Sequence, residues 1–211
     1  LQAYWDGLFF LHNLATCLTV LAGTPTADLT VLDVGAAHDY EATYAATLMK
    51  ERGRILAVDY PTPRLDVLRK QLETLGLTNV EVVAADLGAG IPFEGQADVI
   101  YLTPPSTGSG AFWRTASKWR GEDAMKRMED LQWSLLTGCV PHLAPDGCLV
   151  YATSSILLEE NELLIERFLA HHPEFRLADV TPRLGEPGFR GQDEALRLYP
   201  HTHHVDGTYI A

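Results

Sequence analysis

The chain has 211 residues, of which 46% are hydrophobic, a length and composition that suit one domain with a single large core. Its formal net charge of -12 opposes long-range attraction to a polyanion, because affinity for phosphate backbones is built from Lys and Arg. Cys17, Cys139 and Cys148 form no CxxC pair. This argues against a disulfide framework or a zinc knuckle and favours a reducing, cytoplasmic setting.

An apolar segment near the N-terminus, residues 8–23, is interrupted by His12 and Asn13 and lacks a basic leader. It is too short to span a bilayer and does not resemble a signal peptide. Its apolar residues recur at helical spacing, which predicts an amphipathic helix. We therefore predict a helical lead-in over residues 1–27, packed on the core of a main domain over residues 28–211.

Strand and helix patterns alternate along the rest of the chain. Such alternation predicts an α/β fold with a doubly wound, mostly parallel sheet, and the last two segments are expected to form an antiparallel edge. A Gly-rich and charge-rich segment starting at Leu184 is expected to be a surface loop. The predicted strands cover residues 29–36, 54–60, 80–86, 97–103, 148–153, 175–180, 195–200 and 207–211, and the helices cover 41–51, 63–75, 122–143 and 159–171.

Carboxylates end two consecutive strands of this pattern. Asp59 closes the second strand, about two dozen residues after the turn of the first, where a carboxylate takes a nucleotide ribose. Asp86 closes the third strand, where it could accept from an exocyclic amine or simply cap a turn. Together they point to an adenosine-containing cofactor.

Two further segments lie where binding or chemistry is expected. Thr153, Ser154 and Ser155 follow an apolar strand, and in an open parallel sheet ligands bind beyond the carboxyl ends of the strands. Residues 111–127 interleave five basic side chains with Phe112 and two tryptophans, as single-stranded RNA sites do. An ordinary loop and helix start with solvated charges fits that second segment equally well.

The chain resembles, over nearly its whole length, the catalytic domain of the Sun/RsmB-type RNA cytosine-C5 methyltransferases. The resemblance rests on VLDVGAA, on RLDVLRKQLETLG, on YATSSI followed by LEEN, and on the closing DGTYIA. It implies a Rossmann-like, class I methyltransferase fold with a seven-stranded sheet and an antiparallel edge strand. It also implies S-adenosylmethionine as cofactor, with Gly35, Ala36, Ala37, Asp59, Arg64 and Asp86 as the residues that hold it.

The departures from the family pattern fall on its chemistry. Ser154 stands where the family has the thiol that attacks the base. Ser106 replaces the second cysteine, and Thr103 replaces the aspartate that holds the base. A serine hydroxyl, unlike a thiol, is essentially never ionised near neutral pH without a dedicated base.

The cofactor loop departs as well. The family's two glycines become Asp39 and Tyr40, and its lysine becomes Glu41, so we expect binding of S-adenosylmethionine to be weakened or lost.

These departures predict a protein of methyltransferase fold that does not methylate cytosine by the thiolate route and is retained for binding or structure. The alternative is a repurposed enzyme that transfers methyl directly to an O or N atom of RNA or of a small molecule, with His38 acting as a base near Ser106. An active cytosine methyltransferase with an unusual nucleophile is the third hypothesis. We expect no metal at His201, His203, His204 and Asp206, and no membrane partner.

Overall fold

The chain forms an α/β fold in a computed structural model that describes residues 2–37, 40–113 and 121–211. Three short 3-10 turns, at Leu87–Ala89, Ser109–Ala111 and Val140–His142, accompany the regular elements. The strands are β1 (Thr30–Val34), β2 (Arg54–Asp59), β3 (Val80–Ala84), β4 (Ala97–Leu102), β5 (Leu143–Thr153), β6 (Glu186–Pro187), β7 (Leu196–Leu198) and β8 (Thr208–Ile210). The helices are α1 (Gln2–Trp5), α2 (Leu14–Ala22), α3 (Glu41–Leu48), α4 (Pro63–Leu75), α5 (Glu122–Cys139), α6 (Glu162–His171) and α7 (Pro200–His203).

The strands form one sheet in the order β3-β2-β1-β4-β5-β8-β7-β6. Strands β1 to β5 pair in parallel, whereas β8 runs antiparallel to both β5 and β7, and β6 runs antiparallel to β7. The predicted doubly wound, mostly parallel fold with antiparallel strands at one side is therefore confirmed. Strand β1 lies between β2 and β4, so the strand order reverses there and a ligand crevice is expected at its carboxyl end.

The sheet has eight strands in the described part of the chain rather than seven. The additional two-residue strand β6 falls inside the segment that was predicted as a surface loop. Residues 175–180, predicted as a strand, form none. Phe175 packs on Phe168, and Val180 donates one backbone hydrogen bond to Glu194, but no ladder of such bonds forms along the segment.

Two apolar cores lie on the two faces of the sheet. Successive residues of a strand point to opposite faces, so Val31 packs in one core with Leu65 of α4. Leu32 packs in the other core with Leu136 of α5 and Phe168 of α6. Burial of each such large apolar side chain contributes roughly 1.5–3 kcal/mol. The sheet is thus held rigidly from both sides, which fixes the positions of the strand ends.

The N-terminal helix is shorter than the apolar segment that predicted it. Helix α2 begins only at Leu14, because the side chain of Asn13 caps it by accepting a hydrogen bond from the backbone N–H of Thr16 at 2.7 Å. Tyr101 of β4 donates its hydroxyl to the carbonyl of Val20 at 2.8 Å. The division into a lead-in of residues 1–27 and a main domain of 28–211 stays a prediction.

Three other predicted helices end or begin elsewhere. Helix α3 stops at Leu48 instead of residue 51. Helix α5 stops at Cys139, ahead of Pro141, which has no N–H to continue an α-helix. Helix α6 begins at Glu162 rather than at residue 159. The residues just before α6 contribute to the site described next.

Candidate functional site

The loops that follow β4 and β5 lie side by side, because these two strands are neighbours and parallel. One of their polar contacts joins the hydroxyls of Ser106 and Ser154, whose Oγ atoms are 3.3 Å apart. The structure therefore brings together the two residues that stand where the resemblance expects thiols. The backbone N–H of Gly110 also donates to the carbonyl of Ser154 at 3.0 Å, which holds the two loops against each other.

The hydroxyl pair lacks a base in the part of the chain that the structure describes. The other hydrogen bond of Ser106 Oγ comes from the backbone N–H of Gly108 at 3.2 Å. No described carboxylate or imidazole is hydrogen-bonded to Ser106 Oγ or to Ser154 Oγ. A serine becomes a nucleophile only when an adjacent group takes its proton. The pair can donate and accept hydrogen bonds, but nothing in the described residues activates it.

A buried carboxylate, Glu160, joins the two loops behind the hydroxyl pair. Its Oε1 atom accepts from the backbone N–H of Thr107 and from Nε2 of Gln132, both at 2.8 Å. Its Oε2 atom accepts from the hydroxyls of Thr107 and Ser155, both at 2.5 Å. Glu160 is fully buried, and these four donors compensate the loss of water around its charge. It is the centre of the polar network that shapes the site.

Asn161 extends this network into the strand end. Its Oδ1 accepts from the hydroxyl of Thr153 at 2.6 Å, and its Nδ2 donates to the carbonyl of Ser155 at 2.9 Å. The hydroxyl of Tyr151 donates to the carbonyl of Glu160 at 2.7 Å. These contacts explain why α6 begins late: residues 160 and 161 bond to the β5 loop instead of continuing a helix.

Glu160 was predicted only as part of the helix over residues 159–171, so its role in the site was missed. A usable signal was present in the hydroxyl residues at both strand ends, Thr107, Ser109, Thr153 and Ser155. Buried hydroxyls require acceptors, and a Glu-Asn pair a few residues downstream supplies them.

Thr103 ties β4 to the turn that follows β1. Its Oγ1 donates to the carbonyl of Gly35 at 3.4 Å, and its backbone N–H donates to the carbonyl of Val34 at 3.0 Å. Gly35 has φ +91°, and a Cβ atom there would lie 2.3 Å from the carbonyl oxygen of Thr103. Only glycine fits this close approach, so Gly35 and Thr103 join the first and fourth strands at the crevice.

Asp59 fixes the turn after β1 that was predicted to hold the cofactor, residues Gly35, Ala36 and Ala37, which we call the cofactor turn. Its Oδ2 accepts from the backbone N–H of Ala37 at 2.8 Å, and its Oδ1 accepts from the N–H of Tyr60 at 2.6 Å. Each carboxylate oxygen has two lone pairs, so each can still accept one hydrogen bond from a ribose hydroxyl. The placement of Asp59 at the end of β2 therefore fits an adenosine-containing cofactor.

The structure describes two of the residues that the resemblance marks as departures from the family pattern, Tyr40 and Glu41. Tyr40, in the position of a family glycine, has φ 63°, a left-handed conformation that glycine adopts freely and a tyrosine does not. Its ring contacts Phe10 edge-to-face, with 6.3 Å between ring centroids. Glu41 is buried in the first turn of α3. The predicted base His38 and its neighbour Asp39 lie outside the described residues.

The other two residues expected to hold the cofactor, Asp86 and Arg64, are both exposed. Asp86 is exposed and accepts a hydrogen bond from the backbone N–H of Gly88 at 2.9 Å, so it caps the short 3-10 turn after β3. Of the two roles considered for Asp86, contact with an exocyclic amine or capping of a turn, this geometry matches the second. Arg64 is exposed in the first turn of α4. Asp59 pairs with Ala84 across β2 and β3, so Asp86 lies at the same edge of the sheet as Asp59.

The three cysteines do not substitute for the missing thiols. Cys17 lies on α2, Cys139 ends α5, and Cys148 lies within β5 in register with Val99, five residues before Thr153. Burial raises the pKa of all three thiols, and it raises that of Cys139 to about 12. None of them follows β4 or β5, where the family thiols belong.

The candidate RNA segment, residues 111–127, is described only in part. Arg114 to Arg120 lie outside the described residues. Trp113, just before them, is 60% exposed. Lys126 on α5 forms exposed ion pairs with Glu129 and Asp130 at 3.4 and 3.0 Å, so its charge is partly compensated.

Two other predictions concern metals and membranes. Within residues 2–37, 40–113 and 121–211, no three His, Cys, Asp or Glu side chains are grouped so as to hold a metal ion. Nδ1 of His203 accepts instead from the backbone N–H of Tyr199 at 2.9 Å. None of the described helices combines the length and apolar character that crossing a bilayer requires.

Comparison with known proteins identifies relatives of the whole chain. A family model described as 16S rRNA methyltransferase RsmB/F matches residues 19–211. The 28S rRNA (cytosine-C(5))-methyltransferase of Mus musculus is 32% identical over 99% of the chain and 28% of the relative. The tRNA (cytosine(72)-C(5))-methyltransferase of Pyrococcus horikoshii is 29% identical over the whole chain and 53% of the relative. The chain thus spans about half or less of these curated proteins.

Solved structures agree with this relationship. The structure titled NSun6 from Pyrococcus horikoshii with SFG superposes with a TM-score of 0.92 and 27% identity, over the whole chain and 54% of that protein. A methyltransferase homolog protein from Pyrococcus horikoshii gives a TM-score of 0.85 and 30% identity, over the whole chain and 69% of that protein.

Proposed function

The chain belongs to the RsmB/F methyltransferase family, and on that premise we propose that it binds S-adenosylmethionine and RNA but does not methylate cytosine-C5 by the thiolate route. The observation that carries the proposal is the Ser106–Ser154 contact: both positions of the family thiols hold hydroxyls, and neither hydroxyl has a described base. The fold is kept, whereas the group that would add to C6 of the base is replaced.

The residues at the crevice fit S-adenosylmethionine. Asp59 has free acceptor capacity toward ribose hydroxyls, and its orientation is fixed by Ala37 and Tyr60. When bound, the cofactor supplies an electrophilic methyl group on its sulfonium. The chain's own residues would orient the adenosine and hold the cofactor turn close to Thr103. We expect weaker binding than in a family member with glycines, because Tyr40 fills the left-handed position of the turn.

RNA is the substrate class that the relatives' names give, since they modify rRNA and tRNA at cytosine. With a net charge of -12, this chain requires a local surface for RNA, and residues 111–127 are our candidate. Since all three cysteines are free, we place the protein in a reducing compartment such as the cytoplasm.

Calorimetric titration with S-adenosylmethionine and S-adenosylhomocysteine tests the cofactor part. We expect micromolar binding that Asp59→Ala abolishes, whereas Asp66→Ala, an exposed change on α4, leaves it intact. Absence of binding at millimolar concentrations would refute this part and leave a structural role.

Transfer of labelled methyl from S-adenosylmethionine to RNA tests the loss of the reaction. We expect no 5-methylcytosine from the purified chain with any RNA. Clear product would overturn the proposal and favour the third hypothesis, an unusual nucleophile.

A repurposed enzyme is the second candidate, and the position of Asp59 favours it, because a retained cofactor site would still present a methyl group for direct transfer. Methylation of an O or N atom, in RNA or in a small molecule, would distinguish it from the first proposal. If such an activity is found, His38→Ala should abolish it. Unchanged turnover in that variant would exclude His38 as the base.

A further inference from the structure

Trp113 stands at the rim of the site with one end tethered. Its indole Nε1 donates a hydrogen bond to Oδ1 of Asp206 at 3.1 Å, yet the side chain is 60% exposed. An indole whose polar end is already satisfied still presents its apolar faces. Trp113 is therefore a large apolar surface that is held in place beside water rather than packed in a core.

Backbone contacts connect this indole to the hydroxyl pair. Gly207, next to Asp206, donates its N–H to the carbonyl of Gly110 at 3.0 Å, and Gly110 donates its own N–H to the carbonyl of Ser154 at 3.0 Å. A Cβ atom on Gly110 would lie 1.9 Å from the carbonyl oxygen of Gly207, so the two backbones are in direct contact. Trp113 is three residues beyond Gly110, a span of at most about 10 Å.

A second exposed apolar side chain contacts the same turn. Ile156 is 42% exposed, two residues after Ser154, and its Cγ2 would lie 2.7 Å from a Cβ on Gly207. Trp113 and Ile156 therefore both adjoin the turn at residues 206 and 207, which is linked through Gly110 to the backbone of Ser154. We refer to Trp113 and Ile156 as the apolar rim.

We propose that the apolar rim holds one unstacked nucleobase of a single-stranded RNA, with Trp113 as the stacking surface and Ile156 as a second contact. Bases taken out of a stack are held between aromatic or apolar side chains. Stacking does not depend on basic side chains, so it remains available to a chain whose net charge of -12 repels a phosphate backbone. The inference rests on the proposed function, since it needs RNA at this site, and it assigns to Trp113 and Ile156 a role that is independent of any methyl transfer.

The experiment measures fluorescence anisotropy of a labelled single-stranded RNA hexamer of mixed sequence at low salt, with the purified chain. Trp113→Ala should weaken binding about tenfold or more, the usual effect of removing a stacked aromatic. Trp113→Phe keeps a π-face and should lose about threefold or less. Ile156→Ala should give an intermediate loss. Trp5→Ala, which removes a 71% exposed tryptophan at the end of α1, is the matched control and should leave RNA affinity unchanged.

A set of hexamers with one abasic position each links the indole to a base. For the wild-type chain, one abasic position should weaken RNA binding about as much as Trp113→Ala does. For the Trp113→Ala variant, the same abasic position should weaken binding no further. The inference would be overturned if wild type and Trp113→Ala bound RNA equally well, or if the affinity losses from Trp113→Ala and from the abasic position were additive. Either result would leave RNA binding itself in place. No binding by wild type would instead refute the RNA part of the proposed function, and this inference with it. Titration with S-adenosylmethionine and unchanged melting temperatures show that each variant is folded.

Discussion

Replacement of Glu160 tests whether the site depends on its acceptor positions or on its charge. In Glu160→Ala, four donors lose their acceptor at once. The hydroxyls of Thr107 and Ser155 can rotate toward other acceptors, whereas the N–H of Thr107 cannot, and Gln132 keeps only its bond to the carbonyl of Pro105. With about 1–3 kcal/mol for each stranded donor and a cavity in addition, we expect a loss of roughly 4 kcal/mol in the free energy of unfolding.

Glu160→Gln should behave quite differently. Both N–H donors bond to Oε1 and both hydroxyls bond to Oε2. A glutamine carbonyl in the Oε1 position would keep the first two bonds, and its amide group could donate to the two hydroxyls, which rotate to accept. All four contacts then survive, and the loss is about 1 kcal/mol for the missing charge.

Thermal denaturation followed by circular dichroism measures both variants. For a chain of this length each kcal/mol shifts the melting temperature by about 2–4 °C, so Glu160→Ala should melt about 8–16 °C lower and Glu160→Gln about 2–4 °C lower. Glu159→Ala, the neighbouring residue and not fully buried, should stay within about 0.5 kcal/mol of wild type. Equal losses in the Gln and Ala variants would refute this account of the network.

Further predictions concern three other residues. Gly110→Ala places a Cβ atom 1.9 Å from a neighbouring backbone oxygen and should lower the free energy of unfolding by at least about 2 kcal/mol in urea denaturation, whereas Gly138→Ala, which meets nothing within 4 Å, should not destabilise. The thiol of Cys139, whose pKa burial raises to about 12, should not react with a thiol reagent at pH 8.5 until the chain is unfolded, and fast labelling of folded protein would contradict its burial. Because the unfolded thiol releases its proton first, this thiol should also lower stability as pH rises above its ordinary pKa. Arg197→Met should cost about 3–5 kcal/mol in the same urea assay, because it leaves the fully buried carboxylate of Glu162 without its ionic partner and with only the backbone N–H of Phe189 as a donor among the described residues. A loss below about 1 kcal/mol would show that this charge is compensated elsewhere.

The fold followed from the sequence because its signals are local and repeated. Buried strands such as residues 30–34 and 54–59 are short apolar runs, and helix α4 has both its Pro63 start and its Gly76 stop in the sequence. Strand β6 escaped prediction because it has only two residues. A strand was expected at residues 175–180 because the alternation of apolar side chains resembles a half-buried strand. The backbone of this segment forms no ladder of hydrogen bonds with another described strand.

The position of the site in the chain could be predicted from the sequence, but the contacts among its residues could not. Ser106 and Ser154 were identified only as the positions where the resemblance expects thiols, and the structure places them in contact. Glu160 was missed because its burial depends on donors from residues 107, 132 and 155, far apart along the chain. The role of Asp86 was left open between a ligand contact and a cap, and its contact with Gly88 could be seen only once the turn was placed.

The position of β8 inside the sheet bears on the order in which the protein folds. The parallel strands β1 to β5 can assemble from the first three quarters of the chain, whereas β6 and β7 reach the sheet only through β8. The junction is short: Ala152 and Thr153 pair with Ile210 and Tyr209, and Tyr151 exchanges backbone hydrogen bonds with Ala211. The pairing of β5 with β8, like that of β1 with β4, requires a long intervening loop to close. Ser154 follows directly on this junction, so the hydroxyl pair acquires its final surroundings only when β8 has joined the sheet.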